Sequence, residues 1–132
     1  MSVPFDLSTG LVLVRGEVFG PTGSVDVDLA VDTGATDTVI DEQLLILVGY
    51  DPAAVSSRQS VVMGSGVVSV PQLPVSKFSA LGQDRVNFPI IAHTLPPSAG
   101  MDGVLGLDFF RDQILTLDFQ KGEITLNPGQ TP

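Results

Sequence analysis

The stretch LAVDTGATDTVI, residues 29–40, places an aspartate, a threonine and a glycine at the end of an apolar run and then returns to apolar residues. Chains normally keep charge out of such a place. An ionised carboxylate among apolar neighbours is costly unless it is paired, hydrogen-bonded or used in chemistry. The position of Asp32 therefore makes it the first candidate for a functional residue.

The sequence around this stretch predicts a mostly β protein with one or two short helices. Apolar runs with alternation or β-branching are separated by turn residues, which is typical of strands joined by short connections. The predicted strands are Leu11–Phe19, Ser24–Val31, Arg58–Met63, Val67–Pro71, Val75–Leu81, Arg85–Ala92, Ile114–Phe119 and Glu123–Leu126. One helix is expected between Asp41, its N-terminal cap, and Gly49, and a second over Leu107–Gln113.

Composition narrows the class of protein. A length of 132 residues with 43% hydrophobic residues predicts one folded domain, residues 1–132. Six basic residues against fifteen acidic ones give a net charge of −9, which argues against nucleic acid or an anionic membrane surface as a partner. The absence of cysteine excludes disulfides and thiolate metal sites. It also fits a reducing cytoplasm, which is the expected location, and the sequence leaves open a signal or membrane anchor in a longer parent chain.

A second signature lies about seventy residues after the first. Two apolar residues and a glycine, Val104-Leu105-Gly106, stand within the stretch DGVLGLDFF and precede a predicted helix. Together with VDTGAT, this pattern resembles the retropepsin-like aspartic proteases, particularly their bacterial single-domain relatives. The resemblance covers nearly the whole chain in order. It implies an all-β acid-protease barrel with one lobe per chain, no cofactor and no metal.

The resemblance also implies a chemistry, namely peptide hydrolysis by a water held between two carboxylates. Asp32 would be the catalytic carboxylate, Gly34 would let backbone N–H groups approach it, and Thr33 would brace the active-site loop of a partner subunit. The chain contains a single Asp-Thr-Gly triplet. The expected enzyme is therefore a homodimer that contributes Asp32 twice and cleaves polypeptides.

Substrate contacts are expected from two further places. Met63, Gly64, Ser65 and Gly66 lie between β-rich arms at the position where the family has a flap over its substrate, although an ordinary hairpin tip would look the same. Asp37 shapes a substrate pocket in one interpretation and is a solvated loop charge in the other.

Other interpretations compete with these. Asp32 could cap a turn at a strand end, and Asp108 is most simply a cap for the helix after Gly106 rather than a catalytic group. A hydrolase triad of Ser65, His93 and an aspartate is disfavoured, because no nucleophile-elbow spacing surrounds the serine. The alternative function is a catalytically idle retropepsin-like domain that dimerises or binds peptides.

Overall fold

The computed structural model describes residues 2–63 and 66–129, and most of this part of the chain is β-strand. Its strands, β1 to β10 in chain order, are Ser2–Pro4, Leu13–Gly20, Gly23–Val31, Val39–Asp41, Arg58–Met63, Gly66–Ala80, Gln83–His93, Gly103–Leu105, Gln113–Asp118 and Glu123–Pro128. Helix α1 spans Glu42–Leu47 and helix α2 spans Leu107–Phe110, and single 3₁₀ turns cover Pro52–Ala54 and Pro97–Ala99. The predicted mostly β class with short helices is confirmed.

Six of the strands close into a barrel. Seven strands form one sheet in the order β2-β3-β8-β4-β7-β6-β5, and β2 also pairs with β6. This additional pairing joins the first six strands of that order into a ring and leaves β5 as an arm along β6. Strands β1, β10 and β9 form a separate three-stranded sheet. Closure removes the exposed edges that an open sheet would present.

Side-chain alternation explains which face of each strand enters the barrel. In β3, Val27 and Leu29 are fully buried, whereas Asp26 and Asp28 are exposed. Successive side chains of a strand point to opposite faces, so the alternating pattern in the sequence places the valine and leucine inside. The hairpin of β2 and β3 is therefore confirmed, with Gly20 opposite Gly23 at its turn.

Three aromatic rings hold the second helix against the barrel. Phe78 of β6 stacks on Phe88 of β7, with 5.5 Å between ring centroids. Phe109 of α2 meets the Phe78 ring edge-on at 5.6 Å. Edge-to-face contact between buried rings adds to the free energy of area burial. The short helix is thereby fixed relative to the strands that surround it.

Strand β6 differs from the prediction, because Val67–Pro71 and most of Val75–Leu81 belong to one continuous strand of 15 residues that ends at Ala80. Prolines usually end strands, since they cannot donate a ladder hydrogen bond. On one side of β6, Pro74 lies opposite Pro89 of β7. On the other side, the pairing with β5 reaches only to Pro71 and the pairing with β2 starts at Lys77, so no strand lies beside Pro74. The missing N–H of Pro74 therefore removes no hydrogen bond between strands.

The first helix agrees with the prediction and the second is shorter than predicted. The Asp41 carboxylate accepts a hydrogen bond from the Gln43 N–H and caps α1. Helix α2 ends at Phe110 rather than Gln113, because Arg111 takes an extended ψ of 137° and Asp112 a positive φ of 62°. Within the described residues, neither helix is long and apolar enough to span a lipid bilayer.

Candidate active site

The loop that follows β3 brings backbone donors to Asp32. The Asp32 N–H donates to the Leu105 carbonyl at 3.1 Å, and the Gly34 N–H donates to Asp32 Oδ1 at 2.8 Å. The Ala35 N–H closes the turn by donating to the Asp32 carbonyl at 3.1 Å. A Cβ on Gly34 would lie 3.1 Å from Asp32 Oδ1, which is tighter than ordinary contact. Glycine therefore lets the backbone N–H reach the carboxylate.

Two distant parts of the chain meet at this loop. Strand β8 pairs in parallel with β3 and antiparallel with β4, so the strands before and after the Asp32 loop both pair with β8. Beyond β8, the Leu107 N–H donates to the Ala35 carbonyl at 2.8 Å. A Cβ on Gly106 would lie 2.6 Å from the Asp37 carbonyl oxygen. The glycine of the second signature is thus required by the close approach of the two loops.

A carboxylate and a buried hydroxyl lock the loops together. Asp108 Oδ2 accepts from the Thr38 N–H at 3.0 Å, and Asp108 Oδ1 accepts from Thr38 Oγ1 at 2.6 Å. Thr38 is fully buried, and its Oγ1 accepts in turn from the Gly106 N–H at 3.2 Å. Burial raises the pKa of Asp108, and hydrogen bonds from Thr38 lower that pKa in part. The nearby charge of Asp37 adds to the rise.

This arrangement corrects the prediction that Asp108 caps the helix. The N-cap of α2 is Gly106, and no side chain caps this helix. Asp108 lies inside α2 and faces the loop before β4 instead. The sequence does not reveal this contact because its two partners are 70 residues apart. The hydrogen bonds depend on the β3-β8-β4 crossing, which brings the two loops together.

A cavity of about 460 Å³ opens beside Asp32. One side is formed by the loop and the start of β4, including Asp37 and Val39, and the other side by β5, including Val61 and Val62. Buried Ile91 of β7 also lines the cavity. The contributions of Val61 and Val62 of β5 and of Ile91 of β7 were not predicted, because these residues lie far from Asp32 in sequence.

The structure brings some of the predicted site residues together, and others lie outside the described residues. Asp32, Thr33 and Gly34 share one exposed loop, and Asp37 is half-buried at the adjoining cavity. Met63 ends β5, and its side chain lies outside the described part of the structure. Gly64 and Ser65 lie outside the described residues, and Gly66 begins β6 with a φ of 123°.

The remaining polar candidates do not assemble a second centre in the described part of the chain. His93 ends β7 opposite Asp41, and Ser65, the serine of the disfavoured hydrolase triad, lies outside the described residues. Within residues 2–63 and 66–129, no three His, Asp or Glu side chains gather as metal ligands. The described site offers carboxylates, backbone N–H groups and a cavity.

Comparisons with known proteins agree with this geometry. The chain is similar to a retropepsin-like aspartic protease from Rickettsia conorii, whose crystal structure superposes with a TM-score of 0.71 at 17% sequence identity. The match covers 97% of this chain and 89% of the other, and it confirms the predicted retropepsin-like fold. No curated protein matches the sequence. The family model for aspartyl proteases matches residues 14–109, which span both signatures. This chain therefore belongs to the aspartyl protease family.

Proposed function

We propose that this chain is one subunit of a homodimeric aspartic endopeptidase, in which Asp32 of each subunit activates the attacking water. The observation that carries the proposal is a single Asp-Thr-Gly triplet whose carboxylate is held by the Gly34 N–H beside a cavity of about 460 Å³. The carboxylate is exposed beside this cavity, so a ligand in the cavity would reach it, and the Gly34 N–H fixes its orientation.

The surface around Asp32 supports a dimer that joins two active-site loops. Asp32, Thr33 and Gly34 are all exposed in the single chain. Two exposed apolar residues lie near the loop. Leu11 precedes Val12, whose carbonyl accepts from the Val31 N–H, and the Leu107 N–H donates to the Ala35 carbonyl. A twofold axis through this face would bury both leucines and place the two Asp32 side chains together.

The proposed dyad explains why an aspartate is needed. Two carboxyl groups a few ångströms apart do not both ionise, so the pair shares one proton, as is established for the aspartic protease dyad. The ionised member accepts a proton from water, and the protonated member donates a hydrogen bond to the scissile carbonyl. The water oxygen bonds to the carbonyl carbon as its proton passes to the ionised Asp32, which gives a tetrahedral intermediate. That proton then passes to the amide nitrogen and the C–N bond breaks, so the products leave as a carboxylic acid and an amine and the pair again holds one proton.

The β5–β6 arm is the proposed cover of the substrate. Residues of β5 form one side of the cavity, opposite the Asp32 loop. We place the flap tip at Gly64–Gly66, between the ends of β5 and β6. An extended peptide between arm and loop would meet Asp32 on one side and the arm on the other, with bulk water displaced.

Replacement of Asp32 by asparagine tests the function. Asp32→Asn keeps the size and the acceptor for the Gly34 N–H but removes the ionisable oxygen that a general base requires. We expect cleavage of a diverse peptide library at pH 3–8, read by mass spectrometry, to disappear in Asp32→Asn. Circular dichroism and sedimentation should show an unchanged fold and dimer. Because asparagine also removes repulsion between two carboxylates, thermal stability at neutral pH should hold or rise.

Two outcomes would contradict the proposal. Substantial cleavage by Asp32→Asn, purified free of contaminating proteases, would show that Asp32 is not the general base. A wild-type protein that binds peptides but cuts none of them would instead establish the idle binding module.

A further inference from the structure

Among the described residues that line it, the cavity beside Asp32 has acidic groups and no basic group. Asp32 and Asp37 are its charged lining residues. The nearest base along β5 is Arg58, whose guanidinium donates to the side-chain and backbone oxygens of Ser69 at 2.9 and 2.7 Å. The cavity therefore presents a negative potential to any side chain that enters it.

Asp37 is the carboxylate that a ligand would meet in addition to Asp32. It is half-buried, and within residues 2–63 and 66–129 no Lys or Arg nitrogen lies within ion-pair distance of it. Its charge also acts unfavourably on Asp108, the carboxylate that holds Thr38. A partly desolvated charge with like charge nearby gains free energy when a cation approaches.

The rest of the cavity suits the stem of a long side chain. Val39, Val61 and Ile91 present methyl groups along it. Lysine and arginine side chains combine an aliphatic stem, which packs on such surface, with a cationic end that seeks an acceptor. A purely aliphatic side chain would use the methyl groups and leave Asp37 without a partner.

We propose that Asp37 determines specificity and that this cavity selects a lysine or arginine of the substrate close to the scissile bond. The inference rests on the proposed function, since Asp32 at the cavity marks the place of the cut. The net charge of −9 also favours cationic substrates, because it attracts positively charged peptides to the protein.

The test uses peptides that differ at one position. Starting from the best substrate found in the library, each of the three residues on either side of the cut is replaced in turn by lysine, norleucine or glutamate. Norleucine has the aliphatic stem of lysine without the ammonium group. At one of these positions, we expect kcat/KM for lysine to exceed that for norleucine by about tenfold, which corresponds to the lower end of the range for one hydrogen bond to a charged group. Glutamate should be the poorest residue there.

Asp37→Asn should bring the ratio of lysine to norleucine close to one, and Asp37→Lys should favour glutamate. Asp51→Asn is the matched control, because Asp51 is an exposed aspartate outside the cavity lining. The control should keep the tenfold ratio. High salt should lower the ratio, since the contact is between charges. Equal rates for lysine and norleucine at every position, or an unchanged ratio in Asp37→Asn, would overturn the inference and leave the proposed protease activity standing.

A binding measurement decides the inference if no peptide is cleaved. Fluorescence anisotropy of labelled lysine and norleucine peptides with the Asp32→Asn protein needs no turnover. Tighter binding of a lysine peptide, lost in the double variant Asp32→Asn, Asp37→Asn, would support the cation site without catalysis. Equal binding of the two peptides would refute it.

Discussion

At the scale of single residues, the hydrogen bonds between Asp108 and Thr38 hold the loop that contains Asp32 against helix α2. The Thr38 N–H and hydroxyl both donate to Asp108. Because Thr38 is buried, water cannot replace Asp108 as the acceptor if Asp108 is removed. A buried donor without a partner costs the full desolvation of that group. The same tie places Asp37 and Gly106 beside each other, because the Thr38 hydroxyl also accepts from the Gly106 N–H.

Asp108→Ala should therefore destabilise the protein by about 1–3 kcal/mol at neutral pH, the usual cost of leaving buried donors unpaired. The free energy of unfolding from urea titration measures the effect. Asp51→Ala is the control, since Asp51 is exposed and makes no capping hydrogen bond, and it should change stability by less than about 0.5 kcal/mol. Equal stability of the Asp108 and Asp51 variants would show that the tie contributes nothing.

The pH dependence of this effect has a definite sign. Burial raises the pKa of Asp108 above its usual value, so the folded state binds more protons than the unfolded state between the two pKa values. The contribution of Asp108 to stability is thus fully present below the unfolded pKa of 3.8 and declines as pH rises through the folded pKa. The stability difference between wild type and Asp108→Ala should shrink as pH rises from about 4. A difference that grows with pH would contradict the raised pKa.

At the scale of elements, the β5–β6 arm exposes apolar side chains that barrel packing does not require. Val62 and Val67 face each other across the arm and are 82% and 69% exposed. Val62 also lines the cavity beside Asp32. Contiguous exposed apolar surface beside a cavity is a candidate binding surface. In the proposed enzyme, these two valines would contact the substrate.

The double variant Val62→Ser, Val67→Ser should lower kcat/KM for peptides by roughly fivefold, the loss expected when about 40 Å² of apolar contact is removed. Its free energy of unfolding should stay within about 0.5 kcal/mol of wild type, because both side chains are exposed. Val86→Ser is the matched control, since Val86 is 70% exposed on β7 and does not line the cavity. Equal kinetic losses in the double variant and the control would remove the arm from substrate binding.

At the scale of the whole molecule, charge and exposed apolar surface act against each other in the proposed dimer. Each subunit carries a net charge of −9, so two copies repel one another. Leu11 and Leu107 near the Asp32 loop are each 39% exposed and offer apolar contact that offsets this repulsion. The dimer is expected to depend on concentration and to strengthen when salt screens the charges.

Activity per subunit should therefore fall on dilution through the dissociation constant measured by sedimentation. Mixing subunits supplies the control. A ninefold excess of Asp32→Asn protein should lower wild-type activity about tenfold through random pairing into mixed dimers with one carboxylate. A folded protein that does not form dimers with this chain, such as bovine serum albumin at the same concentration, should leave the activity unchanged. Full activity of monomers would refute the dimeric site.

The sequence by itself determined the features that depend on neighbours along the chain. Alternation in β3, the Asp41 cap of α1 and the turn glycines follow from local geometry, so the mostly β class and the two helices were predictable. The Asp-Thr-Gly triplet was equally visible, and its Gly34 N–H reaches a carboxylate two residues away.

Only the tertiary structure decided what depends on contacts between distant strands. It made β6 continuous through Pro74, since the place of β2 and β5 along that strand leaves the proline without a required hydrogen bond. It turned Asp108 from a presumed cap into the partner of Thr38, and it set β5 and β7 around the cavity. Strand register and barrel closure determine which residues that are distant in sequence come into contact. Local sequence propensities do not specify these contacts.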